Sequence, residues 1–309
     1  MNPLKLWYYP NGFSPIHDAA GYSDAVPFCN VGRRKWVDLV GPSEAEYFYC
    51  GQIPDFVPNP FDTSAFTHLK ECPARHIVDL EGDYRPGSFR REFDGCIRIA
   101  SGAPLAWRDE MVFARPTLSK LLLQIVRANH HFEFPTPTAN TWFFRGKPDS
   151  GGVREKMRAA CQVAELPMAI EFLPEWNGPS PIGSPVHDIF KREMSEHAVA
   201  LCPQGEGVAT ARFYEACAMG RFPVVIGETL LLGHDVSNLG FVEMIPAELS
   251  VAEMAEEFKR INEIPLAEMI ERGQAAQRYF DTIVRPYFSD PTAAFITWLR
   301  SKVAGPPGV

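Results

Sequence analysis

The chain has 309 residues and carries 38 acidic and 30 basic side chains, which gives a formal net charge of −8. This length suggests two domains, on a prior of ~150 residues per domain. Hydrophobic residues at 46% and charged residues at 22% exclude large-scale disorder. The acidic balance argues against nucleic acid as the main partner.

The sequence predicts neither a membrane span nor a metal site. No stretch approaches the ~18–20 apolar residues of a spanning helix, so at most a peripheral membrane association is expected. The first ten residues lack the apolar core of a signal peptide. The seven cysteines form no Cys-x-x-Cys pair, and no histidine or cysteine shows ligand spacing. We therefore expect reduced thiols, a cytoplasmic location and no metal or cofactor.

Short apolar runs separated by proline and glycine occupy the first 130 residues, a pattern typical of buried parallel strands. The clearest runs are Tyr47–Cys50, His76–Leu80 and Cys96–Ala100. A helix is predicted over 117–129, and the Phe-Pro-Thr-Pro-Thr segment at 134–138 is the clearest linker. We therefore place an N-terminal domain at 1–133 and a C-terminal domain at 139–288.

Strands and helices alternate more regularly after the linker, which predicts a doubly wound parallel sheet. Strands are predicted at 141–144, 168–173, 197–202 and 222–226, and helices at 152–164, 186–195, 210–219, 251–261 and 266–280. Gly220 provides the stop for the helix at 210–219. Asp290 and Pro291 begin a last helix that runs to about residue 303. Two α/β halves joined by a proline linker predict a ligand in the cleft between them, at the carboxyl ends of the strands.

The strongest functional signal is the segment 201–216, which reads Leu-Cys-Pro-Gln-Gly-Glu-Gly-Val-Ala-Thr-Ala-Arg-Phe-Tyr-Glu-Ala. A buried strand that includes Pro203 leads into a loop, where Gly205 and Gly207 permit close approach of a ligand to the backbone. The helix that follows offers free N–H groups and a positive dipole end, which favour phosphate.

Three polar side chains at the start of this helix suit a nucleotide. Thr210 can cap the helix and donate to a phosphate oxygen, and Arg212 can add a charge-assisted contact. Glu215 lies three residues later on the same face, where a ribose diol can reach it. Spacing alone leaves open an ordinary strand-to-helix turn with a surface Arg–Glu pair.

This segment resembles the exostosin-like glycosyltransferases. In that family Cys-Pro-x-Gly is followed by Ser/Thr-x-Arg-x-x-Glu-Ala and then by Ala-Gly-x-x-Pro-Val. The matching residues are Cys202, Pro203, Gly205, Thr210, Arg212, Glu215, Ala216, Gly220, Pro223 and Val224. Weaker matches precede them in the same order, at 41–49, 76–83, 143–146 and 153–154. The chain departs from the family pattern at Gln204, Gly82 and Tyr84.

The resemblance implies a GT-B fold, with two doubly wound Rossmann-like domains facing each other across a cleft. It also implies a role in polysaccharide biosynthesis, with inverting transfer from a nucleotide sugar, usually a UDP-sugar, to a glycan or glycoconjugate acceptor. In this fold the segment 289–309 is expected to pack back on the N-terminal domain. The absence of an Asp-x-Asp motif agrees with metal-independent transfer.

A diphosphate leaving group needs cations, and the candidates are Arg145, Lys147, Arg154 and Arg212. Arg154 and Lys147 have the simpler alternative of solvated surface charges. Inversion also needs a base on the acceptor side. Asp79, Glu81 and Asp83 lie in or after one apolar strand, on the same side while the chain stays extended.

Asp83 matches the family's aspartate and ranks first as the base, with Glu81 second. Solvated loop carboxylates remain the simpler alternative for both, and Asp18 and Asp109 are the next candidates.

Two other functions stay open. A non-catalytic glycan- or nucleotide-sugar-binding protein could keep the same donor pocket. A nucleotide-sugar-modifying enzyme such as an epimerase is disfavoured, because the chain lacks Gly-x-Gly-x-x-Gly near its N-terminus and has no Tyr-x-x-x-Lys.

Overall fold

The computed structural model describes residues 2–13, 36–53, 63–64, 66–80, 93, 95–101, 111–115, 119–127, 134–148, 152–172, 185–205, 210–227, 230–231, 234–235 and 238–303. The chain divides into two compact units. The first unit comprises Met1–Pro116, Leu230–His234 and Pro286–Val309. The second unit comprises Thr117–Thr229 and Asp235–Arg285.

The described strands and helices are numbered here in chain order. The strands are β1 (Leu4–Phe13), β2 (Val37–Leu39), β3 (Tyr47–Ile53), β4 (His76–Leu80), β5 (Ile97–Ser101), β6 (Val112–Arg115), β7 (Trp142–Gly146), β8 (Met168–Phe172), β9 (Val199–Pro203), β10 (Phe222–Ile226), β11 (Leu230–Leu231), β12 (His234–Asp235) and β13 (Glu243–Ile245). The helices are α1 (Lys120–Arg127), α2 (Val153–Val163), α3 (Pro185–Ser195), α4 (Ala211–Ala218), α5 (Val251–Asn262), α6 (Leu266–Tyr279), α7 (Arg285–Ser289) and α8 (Pro291–Val303). A π-helical turn, Phe280–Val284, joins α6 to α7.

The first unit is built on a parallel sheet with the strand order β2-β1-β3-β4-β5-β6. All five residues of β4 are buried, as a strand inside a parallel sheet requires. A core of aromatic and aliphatic side chains covers part of this sheet and includes Tyr9, Phe48, Phe66 and Val78. The parallel sheet predicted for this half of the chain is confirmed.

Helix α8 is part of the first unit and contacts β6 through aromatic rings. The ring of Phe113 on β6 lies 5.5 Å from that of Phe295 and 5.3 Å from that of Trp298. The carboxylate of Asp290 accepts from the backbone N–H of Ala293 at 2.9 Å, which is the predicted N-cap. Its other oxygen accepts from the indole N–H of Trp36 at 2.6 Å. The cap therefore also ties the helix start to the segment before β2.

The second unit contains a parallel sheet with the order β13-β10-β9-β7-β8. Trp142 and Phe144 of β7 belong to a core that includes buried residues of α2, α5 and α6. The intervening Phe143 contacts Phe190 of α3, with the ring centroids 5.5 Å apart. Because successive side chains of a strand alternate between faces, helices cover both faces of this sheet. The predicted doubly wound sheet is confirmed.

The unit boundary differs from the predicted domain boundary after residue 133. Helix α1 packs against α4, and both belong to the second unit. Leu121, Leu122 and Leu123 are buried, which gives α1 an apolar face to pack with. The Pro-rich segment at 134–138 therefore lies within the second unit. Among the helices that the structure describes, none is long and apolar enough to cross a membrane.

Candidate functional site

The strand order of the second unit reverses between β7 and β9, because β8 lies outside β7 while β10 and β13 follow β9. Strand β7 ends at Gly146 and β9 ends at Pro203, so both carboxyl ends lie at this reversal. Helices α2 and α4 are the next described helices after β7 and β9 respectively. Ligands of doubly wound sheets bind at this point, where helix N-termini favour anions.

Arg154 and Gly205 meet at this edge of the sheet. A Cβ atom added to Gly205 would lie 2.6 Å from Nη2 of Arg154, so the guanidinium occupies the space that a larger residue would fill. The Nη1 group of Arg154 donates to the carbonyl of Lys147 at 2.7 Å. A cation in the first turn of α2 is thus held against the loop that follows β9. This arrangement suits a phosphate group.

Arg212, which is half-buried, forms an ion pair with the buried Glu215. Its Nη1 donates to Oε2 of Glu215 at 2.6 Å, and the side chains are only 18% and 7% exposed. Nη2 donates to the carbonyl of Arg145 at 2.5 Å. The guanidinium carbon lies 4.2 Å from the ring centroid of Phe190, within cation–π range. The pair is therefore not a solvated surface pair, while an ordinary strand-to-helix turn stays an alternative for this segment.

The second carboxylate oxygen of Glu215 also has a partner. Oε1 accepts from the hydroxyl of Ser119 at 2.6 Å. The Ser119 oxygen in turn accepts from the backbone N–H of Leu122 at 3.1 Å and so caps α1. Both oxygens of a buried carboxylate are therefore hydrogen-bonded, which is what burial of a charge requires.

The guanidinium of Arg145 is paired with two carboxylates. Nη1 lies 2.5 Å from Glu193 on α3, and Nη2 lies 2.7 Å from Glu171 on β8. A diphosphate would have to compete with these two negative charges. The contact of Arg145 with the diphosphate stays a prediction, whereas its backbone carbonyl holds Arg212 in place.

Thr210 occupies the N-cap position of α4, but its side chain makes no capping hydrogen bond. The predicted position of the cap is confirmed, but the predicted capping hydrogen bond of Thr210 is wrong. Pro203 is buried as the last residue of β9, and Lys147 is exposed beyond β7. Gly207 lies outside the described residues.

The predicted base candidates belong to the first unit. Asp79 lies within β4 and is fully buried. Glu81 and Asp83, and the next candidates Asp18 and Asp109, lie outside the described residues. Their ranking stays a prediction.

Cys202, which lies near the Arg212–Glu215 ion pair, is unreactive because it is buried. Cys202 at the end of β9 is fully buried, and this desolvation raises its pKa well above the usual range, more than the positive charge of Arg212 lowers it. Its thiol therefore stays protonated. All six cysteines in the described part of the chain are free. Among the described residues, no three histidine, cysteine or acidic side chains lie together as a possible metal site.

Sequence reasoning missed three residues around the site: Ser119 and Phe190, which contact the Arg212–Glu215 pair, and Glu193, which pairs with Arg145. A serine three residues before Leu122 in an apolar run is a recognisable N-cap signal, so the capping role of Ser119 could have been predicted. Its bond to Glu215, 96 residues away, could not. Nothing in the spacing of Phe190 or Glu193 indicates that they meet Arg212 and Arg145.

No family model and no curated protein matches this chain. Among solved structures it is similar to TarM, with 12% identity, a TM-score of 0.43, and coverage of 84% of this chain and 51% of TarM. The chain thus spans about half the length of TarM. It is also similar to WaaG, a glycosyltransferase involved in lipopolysaccharide biosynthesis, with 11% identity and a TM-score of 0.43 over 95% of this chain and 99% of WaaG. At these values neither likeness assigns an activity to this chain, and membership of the exostosin-like family stays a prediction.

Proposed function

We propose that this chain is a glycosyltransferase of the GT-B type, which transfers a sugar from a UDP-sugar to a glycan or glycoconjugate acceptor with inversion. The observation that carries the proposal is the pairing of Arg154 with Gly205 where the strand order of the second unit reverses. This edge brings a cation against the backbone of the loop after β9, beside the first turn of α2, and this combination favours a diphosphate.

The donor would lie along the start of α4. Its diphosphate would meet Arg154, Lys147 and the first N–H groups of α4, and the ribose diol would donate to Glu215. The buried pair with Arg212 supports this role, because a carboxylate held in one orientation accepts two hydroxyl groups with little loss of conformational entropy. Arg212 would add positive charge on the side of the diphosphate.

The chemistry is a displacement at the anomeric carbon. The acceptor oxygen forms a bond to this carbon while the bond to the diphosphate oxygen breaks, and the electron pair leaves with UDP.

The cations and helix N-termini stabilise the charge that grows on the diphosphate, without requiring a metal. The acceptor proton would pass to a carboxylate from the N-terminal half of the sequence, with Asp83 ranked before Glu81. The family pattern and the free thiols support a cytosolic enzyme of polysaccharide biosynthesis, peripheral to membranes at most.

A ligand screen followed by product analysis tests this function. Thermal unfolding is measured with UDP-, GDP- and CMP-sugars, because a ligand that binds the folded state raises the melting temperature. Transfer is then measured with the best donor and a mixed acceptor panel, with chelator present, and the anomeric configuration of the product is read by NMR.

We expect stabilisation by UDP-sugars and an inverted product. Binding without transfer or hydrolysis would support the alternative, a non-catalytic nucleotide-sugar-binding protein. A retained configuration would contradict inversion. Absence of stabilisation by any of the three donor classes would contradict the whole proposal.

A further inference from the structure

The hydroxyl group of Ser119 connects helix α1 to the carboxylate of Glu215. It donates to Oε1 of Glu215 at 2.6 Å and accepts from the N–H of Leu122 at 3.1 Å. A serine hydroxyl has a single hydrogen to donate, so these two bonds fix its rotation. The serine cannot turn toward another partner without breaking one of them.

Helix α1 fixes the position of the serine as well as its rotation. Leu121, Leu122 and Leu123 of α1 are buried, and the carbonyl of Ser119 accepts from the N–H of Leu123 at 3.0 Å. Helix α1 also packs against α4, the helix that carries Glu215. Ser119 is therefore held at the side of Glu215 by packing that does not depend on any ligand.

The carboxylate of Glu215 keeps acceptor capacity after these contacts. An ionised carboxylate has about four lone-pair sites. Ser119 uses one site on Oε1, and Arg212 uses one on Oε2. One site on each oxygen is left, which matches the two hydroxyl groups of a ribose diol.

We propose that Ser119 is the positioning residue that orients Glu215 for the ribose, an inference that rests on the proposed function. Held from both sides, the carboxylate plane cannot rotate, and its remaining lone pairs keep a fixed direction. Without Ser119 the carboxylate is held by Arg212 alone and turns about its terminal bond. The ribose hydroxyl groups then lose part of their alignment, while the diphosphate contacts at Arg154 stay unchanged.

Calorimetry with two ligands tests this role. UDP is compared with dideoxy-UDP, the analogue that lacks both ribose hydroxyl groups, on wild type, Ser119→Ala, Ser119→Val and Ser119→Thr. Threonine keeps the hydroxyl, and valine has nearly the same shape without it. Ser195→Ala is the matched control, because Ser195 is a buried serine of the second unit that donates only to the carbonyl of Arg192.

We expect wild type to prefer UDP over dideoxy-UDP by at least about tenfold, the size of hydrogen bonds to a charged group. Ser119→Ala and Ser119→Val should lower this ratio by about threefold to tenfold, mainly through weaker UDP binding. Ser119→Thr and Ser195→Ala should keep the wild-type ratio. The ratio compares the UDP and dideoxy-UDP affinities of the same variant. A loss of helix capping lowers the stability of that variant with either ligand and therefore does not change the ratio.

Failure of the proposed function and failure of the positioning role of Ser119 give different results. A wild type that does not bind UDP overturns the proposed function and this inference with it. UDP binding with a wild-type preference in Ser119→Ala overturns the positioning role alone. The same holds if Ser119→Thr loses the preference as strongly as Ser119→Val does.

Discussion

Arg212 and Glu215 form a 2.6 Å ion pair within one turn of α4, and each is held by a second partner from a distant part of the chain. Arg212 donates to the carbonyl of Arg145, 67 residues away, and Glu215 accepts from Ser119, 96 residues away. The ion pair thus connects three segments of the chain: α4, the end of β7 with Arg145, and the start of α1 with Ser119. We therefore expect loss of this ion pair to change both the stability of the second unit and the shape of the proposed donor site.

Arg212→Ala should weaken both nucleotide binding and folding. The lost charge-assisted contact is worth about 1.5–3 kcal/mol in UDP binding, or roughly 10–150-fold in affinity. Removing one partner of a buried pair also lowers the free energy of unfolding by about 3–5 kcal/mol. Calorimetry with UDP and urea unfolding measure the two effects. Equal UDP affinity in wild type and variant would contradict the donor role of Arg212.

Lys259→Ala is the control for this variant. Lys259 pairs with Glu256 across the same helical spacing, but the two side chains are 47% and 71% exposed. Exposed pairs contribute about 0–1 kcal/mol. We expect wild-type UDP affinity and nearly wild-type unfolding.

Glu215→Gln should raise the Michaelis constant for the donor more than it lowers the turnover number. Glutamine keeps the shape of the side chain but loses the negative charge that strengthens the ribose contacts. Steady-state kinetics with varied donor measures both constants, and Glu256→Gln serves as the exposed control. Unchanged donor affinity with abolished turnover would instead make Glu215 a catalytic group.

Gly205→Ala should lower UDP affinity by about tenfold, the size of one charge-assisted contact, with little change in stability. The added Cβ would lie 2.6 Å from Nη2 of Arg154, and a flexible arginine end moves away at small cost. Its displacement removes the cation from the phosphate position. Gly240→Ala is the matched control, because a Cβ there has nothing within 4 Å. Wild-type affinity in Gly205→Ala would exclude Arg154 from the donor site.

Asp83→Asn should leave UDP binding intact and lower transfer by about 10²–10⁴-fold, the usual contribution of a positioned base. Glu81→Gln is the neighbouring control and should retain most activity. Loss in Glu81→Gln with activity in Asp83→Asn would exchange the two roles. If neither substitution lowers transfer, Asp18 is tested next and Asp109 after it. Asp18 comes first because it follows β1 in sequence, and the strand order of the first unit reverses between β1 and β3.

His76 is buried in the first unit as a neutral ring. One nitrogen, Nδ1, lies 2.9 Å from the carbonyl of Cys72 and must donate to it, so Nε2 accepts from the hydroxyl of Tyr9 at 3.0 Å. Burial lowers the pKa of His76 below its usual 6.5, more than the hydrogen bond to the carbonyl of Cys72 raises it, and the nearby His68 and Arg75 lower it further. The unfolded chain therefore takes up this proton at a higher pH than the folded chain does.

Acidification should therefore destabilise the first unit through His76. Its contribution is fully present above pH ~6.5 and is lost as the pH falls through the lower folded pKa, with a slope of up to about 1.4 kcal/mol per pH unit. NMR titration of the His76 ring gives the folded pKa, and urea unfolding at several pH values gives the slope. A folded pKa at or above 6.5 would contradict the prediction.

Local patterns predicted most elements because their causes are local. Strands β4 and β10 occupy the predicted ranges, since a strand buried on both faces needs a continuous apolar run. Helix α4 ends before Gly220, whose φ of 64° favours glycine. Strands β1 and β2 were not among the predicted strands. Proline and polar residues interrupt β1, and β2 has only three residues.

The sequence by itself determined the two parallel sheets, the Asp290 cap and the strand-to-helix turn that carries Arg212 and Glu215, because hydrophobic period and capping residues act over a few positions. Only the tertiary structure decided which partners these residues have. Arg145 meets two carboxylates, Arg212 lies against Phe190, and Ser119 reaches Glu215 from another helix. These contacts join residues tens of positions apart, and packing of the sheet and helices brings them together.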